Sequence, residues 1–169
     1  MFGKSMRAAC LALTAAAAAN LAGGARASAA CSRESWPEFE RKAAAAQAAF
    51  QKRDPAPWMA LWSHADDVSL MGANGGYEVG WSLVGPRIAR ISAVTTNGPR
   101  QDQVLVTRVG ADMGVIVQIE NITNLNPDGS VRDVDRLRVT HVARCEGSAW
   151  RIIHRQADRL VDVQKSQPH

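Results

Sequence analysis

Arg138, His141 and His154 are side chains of this 169-residue chain whose types could hold a bound oxygen atom or move a proton. They fall in RLRVTHVARCEGSAWRIIHRQAD, residues 136–158, where two alternating runs flank Glu146-Gly147-Ser148. Alternation on both sides of a glycine-bearing turn predicts a β-hairpin. A guanidinium on such a hairpin holds a carboxylate or enolate oxygen through two parallel hydrogen bonds. An imidazole donates, accepts or moves a proton near neutral pH. Which of them share a face depends on the turn. A two-residue loop, Gly147-Ser148, sets His141 opposite His154, with Val139 and Gln156 on the same face. A three-residue loop sets Thr140 opposite His154 and Arg138 opposite Gln156, with His141 on the other face. A slip of one residue exchanges the faces.

Proton transfer next to a carbonyl needs a carboxylate base and donors for the developing oxyanion. Asp67, Glu78, Asp112 and Glu120 are the acids considered, with Asp67 and Glu120 the leading bases and His154 their companion. Either base would need a pKa raised by burial. Tyr77, the only tyrosine, is the only phenol available as a donor. His64-Ala65-Asp66-Asp67 contains metal-ligand residue types. A metal centre, however, wants three or four converging donors held by further hydrogen bonds. The other histidines are His141, His154 and the terminal His169. No metal and no cofactor is expected. Nucleophile elbow, phosphate-cradling glycine loop and Cys-x-x-Cys are all lacking, which argues against hydrolase, kinase and thiol-redox chemistry.

The elements that must position these groups change period midway. Ser35-Trp36-Pro37-Glu38 has capping-box spacing, and Trp36, Phe39, Ala43, Ala46 and Phe50 make one stripe of a helix over 35–52. Asp54-Pro55 starts a second, shorter helix with Trp58, Leu61 and Trp62 on its apolar face. Residues 68–71 read as a short strand and 72–76 as a glycine-rich turn. A third helix ends near 94. Pro86 inside it predicts a kink, or a start near Gly85. From Gln101 onward the period is two: Val104 and Val106 in one strand, Met113, Val115, Val117 and Ile119 in the next, then the hairpin. Three helices followed by four strands predict an α+β fold, three helices packed on a curved antiparallel sheet. Trp62 and Trp81 flank the glycine turn and, with Tyr77, are expected at the mouth of a small-molecule pocket. Trp58 and Trp150 are expected in the core.

Residues 1–29 carry Lys4 and Arg7, then an apolar run of about 15 residues, then Ala25-Arg26-Ala27 and Ala27-Ser28-Ala29. This pattern describes a secretory signal peptide rather than a spanning helix. The chain as a whole carries 20 basic and 16 acidic residues. Three of the basic residues and none of the acids lie in the leader, so 17 stand against 16 in the rest of the chain. The remaining domain, 30–162, is nearly neutral and shows no basic stripe, so no nucleic-acid partner is expected. Nor is a membrane partner expected once the leader is cleaved. The product is read as exported, periplasmic or secreted, with a flexible tail over 163–169. In an oxidising compartment Cys31 and Cys145 can pair; Cys31, following Ser28-Ala29-Ala30, can instead be free or lipidated.

The segments LWSHADDVSLMGANGGYEVGW and LRVTHVARCEGSAWRIIHRQAD resemble the SnoaL-like branch of the nuclear transport factor 2-like superfamily. Its members include ketosteroid isomerases and the association domain of calcium/calmodulin-dependent kinase. The resemblance covers roughly residues 35–160 and implies a cone: a curved sheet wrapped around a long helix, with a pocket at the open end. It also implies that Arg138 and His154 line that pocket, which favours the three-residue loop and groups Arg138, Thr140, His154 and Gln156. Relatives commonly read H-R-H-A-D where this chain has His154-Arg155-Gln156-Ala157-Asp158, so a second imidazole is missing. The function expected is binding of a small, partly apolar ligand bearing a carbonyl or carboxylate. An isomerase or cyclase is the alternative from the enzyme class. A homodimer through the outer sheet face, burying Ile116, Val142 and Ile153, is the alternative from the assembly class.

Overall fold

The computed structural model describes residues 31–161. The expected leader, 1–29, and tail, 163–169, lie outside them. The described residues form helices α1 (Trp36–Gln51), α2 (Ala56–Ala60) and α3 (Trp81–Ala93), with strands β1 (Ser69–Met71) and β2 (Tyr77–Val79) between α2 and α3. Strands β3 (Arg100–Val109), β4 (Met113–Leu125), β5 (Val131–Glu146) and β6 (Ala149–Arg159) follow. All six strands make one open sheet in the order β2-β1-β6-β5-β4-β3. β1 runs parallel to β6, while every other pair is antiparallel. The sheet is therefore curved and mixed, not antiparallel throughout, and β2, a strand the sequence reading did not foresee, follows directly on the glycine-rich turn.

Local chemistry explains most boundaries, with three departures. Ser35 does not close a capping box. Its hydroxyl donates to the Ser32 carbonyl (2.9 Å) and accepts from Trp150 Nε1 (3.1 Å), tying the start of α1 to β6. Glu38 pairs instead with Arg41 and Lys42 one turn on. At α2 the N-cap position falls on Pro55 and no side chain caps the helix; Asp54, one residue earlier, accepts from the Ala56 amide at Oδ1 (3.1 Å). Pro86 neither delays nor ends α3, which runs unbroken from Trp81. The helix begins at Gly80, whose φ of 87° disfavours a side chain.

The core lies between the helices and the inner sheet face. Trp36 packs against Phe39 (ring centroids 4.9 Å) and edge-on to Trp150 (5.0 Å), and covers Gly114, the one place on β4 with no side chain to obstruct it. Trp58, Trp62, Val84, Ile88 and Ile152 belong to the same cluster. Each large apolar side chain withdrawn this way contributes about 1.5–3 kcal/mol. Cys31 and Cys145 are disulfide-bonded (Cα–Cα 5.7 Å), which joins the segment ahead of α1 to the end of β5 across 114 residues.

Sheet register decides which residues face inward. The final hairpin has the two-residue loop: Glu146 pairs with Ala149, Cys145 with Trp150 and Ala143 with Ile152. Gly147, at φ 64°, makes the turn. Ile153 then bulges out of the ladder, so Val142 pairs with His154 and His141 with Arg155. A single extra residue shifts every later partner by one and turns the following side chains over. The three-residue loop expected from the family resemblance is thus incorrect, and the bulge replaces His154 by Arg155 opposite His141.

On β4 the polarity is the reverse of a simple amphipathic strand. Gly114, Ile116, Gln118 and Glu120 are buried, whereas Val115, Val117 and Ile119 lie half-exposed on the outer face. Ile116 belongs to the inner core, not to an outer interface.

Candidate functional site

The inner face carries a charged cluster in the middle of an otherwise apolar layer. Glu120 has no solvent exposure. Arg155 Nη1 and Nη2 donate to its two oxygens, each at 2.7 Å. Gln118 Nε2 donates to Oε1 at 2.9 Å, and Arg100 Nη2 lies 2.6 Å from the same atom. Arg100 Nε is shared between the two oxygens of Asp102, at 2.9 and 3.0 Å. Strand pairing sets this up directly: Asp102 is opposite Glu120 across β3–β4, and Arg155 is opposite His141 across β5–β6. Arg155 Nη1 also donates to His141 Nε2 at 2.8 Å, which leaves the imidazole proton on Nδ1. The His141 ring meets Trp58 edge-on at 5.5 Å.

The electrostatics follow from this geometry. Burial alone would raise the Glu120 carboxyl, but Arg155 and Arg100 outweigh it and hold it well below the usual carboxylate range. Burial pushes His141 down to about 3, and the Arg155 guanidinium works in the same direction. Asp102 moves up, chiefly through lost hydration, with Glu120 beside it adding repulsion. Near neutral pH the centre is two guanidiniums, a buried carboxylate and a neutral imidazole.

A cavity of about 500 Å³ opens beside this cluster. Phe50, Trp58, Leu70, Ile88, Ile122 and Leu137 give it apolar walls. Its charged lining is Arg87, Arg90, Arg100, Arg132, Arg155 and Arg159 against one acid, Asp135. Arg100 Nη2 is buried yet has no acceptor in hydrogen-bonding geometry, Glu120 being close but off-line. Guanidiniums on the wall of an apolar hollow are suited to an anionic or carbonyl oxygen.

Most residues singled out in sequence lie elsewhere. Arg138, Thr140, His154 and Gln156 do share a face, but it is the outer one, alongside Val142. His154 Nδ1 hydrogen-bonds Ser69 Oγ (2.8 Å) and burial lowers its pKa. Gln156 donates to Asp158. Trp62 is 1 % exposed in the core, so it forms no mouth. Trp81 stacks on His64 (3.9 Å, 12°), and Tyr77 is 74 % exposed on the edge strand; neither reaches the cavity. Asp67 is clamped by Arg144 (2.6 and 3.2 Å) outside the cavity, and that hydrogen bonding lowers its pKa. Glu120 alone of the named candidates sits at the inner cluster. Its pKa, like that of Asp67, moves opposite to what a proton-abstracting base requires.

Sequence reading missed Arg100, Arg155 and Asp102, and assigned His141 to the opposite face. The signal for β4 was present: Gln118 and Glu120 alternate with valines and isoleucine, so the polar pair must share one face. The bulge at Ile153 left no such mark. Among the described residues no group of three His, Cys, Asp or Glu is placed to hold a metal, and no helix is long and apolar enough to cross a membrane.

No family model matches the chain, and no curated protein matches it. Solved structures do. A protein from Thiobacillus denitrificans, named for the association domain of calcium/calmodulin-dependent protein kinase type II, superposes with a TM-score of 0.62 at 20 % identity, over 74 % of this chain and 94 % of that one. A ketosteroid isomerase-like protein from Erwinia carotovora gives 0.59 at 18 %, covering 77 % and 99 %. A protein from Streptomyces avermitilis, named as a dehydratase of the nuclear transport factor 2-like family, gives 0.60 at 18 %, covering 76 % and 95 %. At this identity the likeness is one of fold.

Proposed function

We propose that this chain, which has the nuclear transport factor 2-like fold, is an exported domain that binds a small, partly apolar ligand through a carboxylate or carbonyl oxygen. One observation carries the reading. Arg100 and Arg155 bring two guanidiniums to the wall of an otherwise largely apolar cavity of about 500 Å³, a volume within the usual range for small-molecule sites. The polar contacts in this reading are Arg100 and Arg155, replacing Arg138 and His154. The Glu120 carboxylate holds both guanidiniums in place rather than acting on the ligand. Two carboxylates with lowered pKa values count against isomerase or cyclase chemistry through Asp67 or Glu120. The disulfide supports export, since such bonds persist in oxidising compartments.

The half-exposed stripe of Val115, Val117 and Ile119, joined by Val142, supports pairing of two copies through the outer sheet face. Sedimentation of a concentration-independent monomer would exclude that pairing. The binding reading is tested by native mass spectrometry of the protein purified from its own host. A released small molecule bearing an acid or carbonyl, lost in Arg100→Gln and kept in Arg138→Gln, is the expected result. Retention in Arg100→Gln would overturn it.

A further inference from the structure

We infer that the cavity selects ligands with an anionic group at each end of an apolar body, α,ω-dicarboxylates being the simplest of the class. Arg100 and Arg155 take one carboxylate, and Arg90 and Arg132 at the rim take the other. This rests on the binding function proposed above and specifies the ligand.

The six arginines of the lining differ in how far they are buried. Arg100 and Arg155 form the inner group, with side chains 10 % and 14 % exposed. Arg132 and Arg159 are about half exposed at the open ends of β5 and β6, and Arg90 is exposed on the last turn of α3. Ile88, Ile91, Ile122, Leu137 and Ala157 lie on the wall that both groups share. Glu120, which marks the inner group, pairs with Leu137, and Leu137 pairs with Arg159. The Glu120 carboxylate held by Arg100 and Arg155 therefore sits on a backbone position two strand spacings, ~10 Å, from that of Arg159 at the rim.

The rim arginines are not equally committed. Arg87 donates to Glu78 and to the Gly75 carbonyl, and its guanidinium fills the space over Gly72. Arg159 bonds Asp135 and Asn74. Arg132 gives only its Nε, to Asp133. Arg90 has no ion pair or hydrogen bond among the described residues. A guanidinium has five N–H donors, so Arg90 and Arg132 keep most of theirs for a ligand. A monoacid satisfies the inner group and leaves the rim to water. A diacid of matching length engages both, the second contact forming within a complex already made.

The test is isothermal titration of octanoate and octanedioate into the full chain, into Arg90→Gln/Arg132→Gln and into Arg100→Gln. Octanedioate is expected to bind the unmodified protein about tenfold more tightly than octanoate. The rim double variant should lose that preference while keeping its octanoate affinity, and Arg100→Gln should weaken both ligands about tenfold or more. Equal affinities in the unmodified protein, or a preference that survives the rim substitutions, would overturn the two-ended ligand while leaving the binding site standing. Binding of neither acid would overturn both readings.

Discussion

Replacing His141 by Gln should remove a defined part of the protein's acid sensitivity. His141 is 5 % exposed, accepts from Arg155 at Nε2, and is held neutral with its pKa at about 3. In the unfolded chain an imidazole titrates near 6.5. The folded pKa is depressed, so the unfolded state binds the extra proton between those two values. The stability tied to this group is then fully present above pH 6.5 and is lost as pH falls toward 3. Between pH 7 and pH 5 the loss amounts to about 2 kcal/mol. A glutamine in its place offers an oxygen to Arg155 but takes up no proton. Urea unfolding at pH 7, 6 and 5 should thus show a decline about 2 kcal/mol shallower in His141→Gln than in the unmodified protein. His154 titrates in the same direction but is common to both proteins and cancels in the difference. Identical declines would refute the assignment of a neutral, buried imidazole at His141.

Glu120→Gln leaves Arg155 and Arg100 facing each other without their shared anion, and should cost about 3–5 kcal/mol in urea unfolding at pH 7; a loss under 1 kcal/mol would show the cluster to be dispensable for stability. Cys31→Ser/Cys145→Ser opens a closed loop on the order of 100 residues and should cost about 4–5 kcal/mol, read as a lower melting temperature that reducing agent no longer shifts. Gly114→Ala drives a methyl group into the Trp36 ring, so an overpacking cost of about 1–3 kcal/mol is expected, with altered tryptophan fluorescence as a second readout.

Much of the fold was legible in local sequence patterns. The 3.6-residue stripe of α1, the Asp54-Pro55 start of α2 and the switch to period two near Gln101 are such patterns, and local physics is enough to read them. The family resemblance of the hairpin segment agrees with the fold found. The parallel pairing of β1 with β6 was not legible, because two distant segments must meet before three residues can pair. Nor was the use of each face. On β4 the obvious apolar stripe, Val115, Val117 and Ile119, faces outward, while Glu120 goes inside because Arg155 and Arg100 meet it there from β6 and β3.

The candidate site turned on a single inserted residue. Alternation determined that this hairpin would present histidines, arginines and a glutamine on alternating faces; the grouping of Arg138, Thr140, His154 and Gln156 came from the family resemblance, through a loop the structure does not have. The sequence could not determine which face looked inward. Alternation fixes relative orientation only, and the bulge at Ile153 reverses it partway along β6. Packing decides the matter: Ile152 and Trp150 must join the core on one side of the bulge, and Arg155 must reach Glu120 on the other. A charge as deeply buried as Glu120 is tolerated only where three-dimensional structure brings its partners together, and those partners come from strands 20 and 35 residues away.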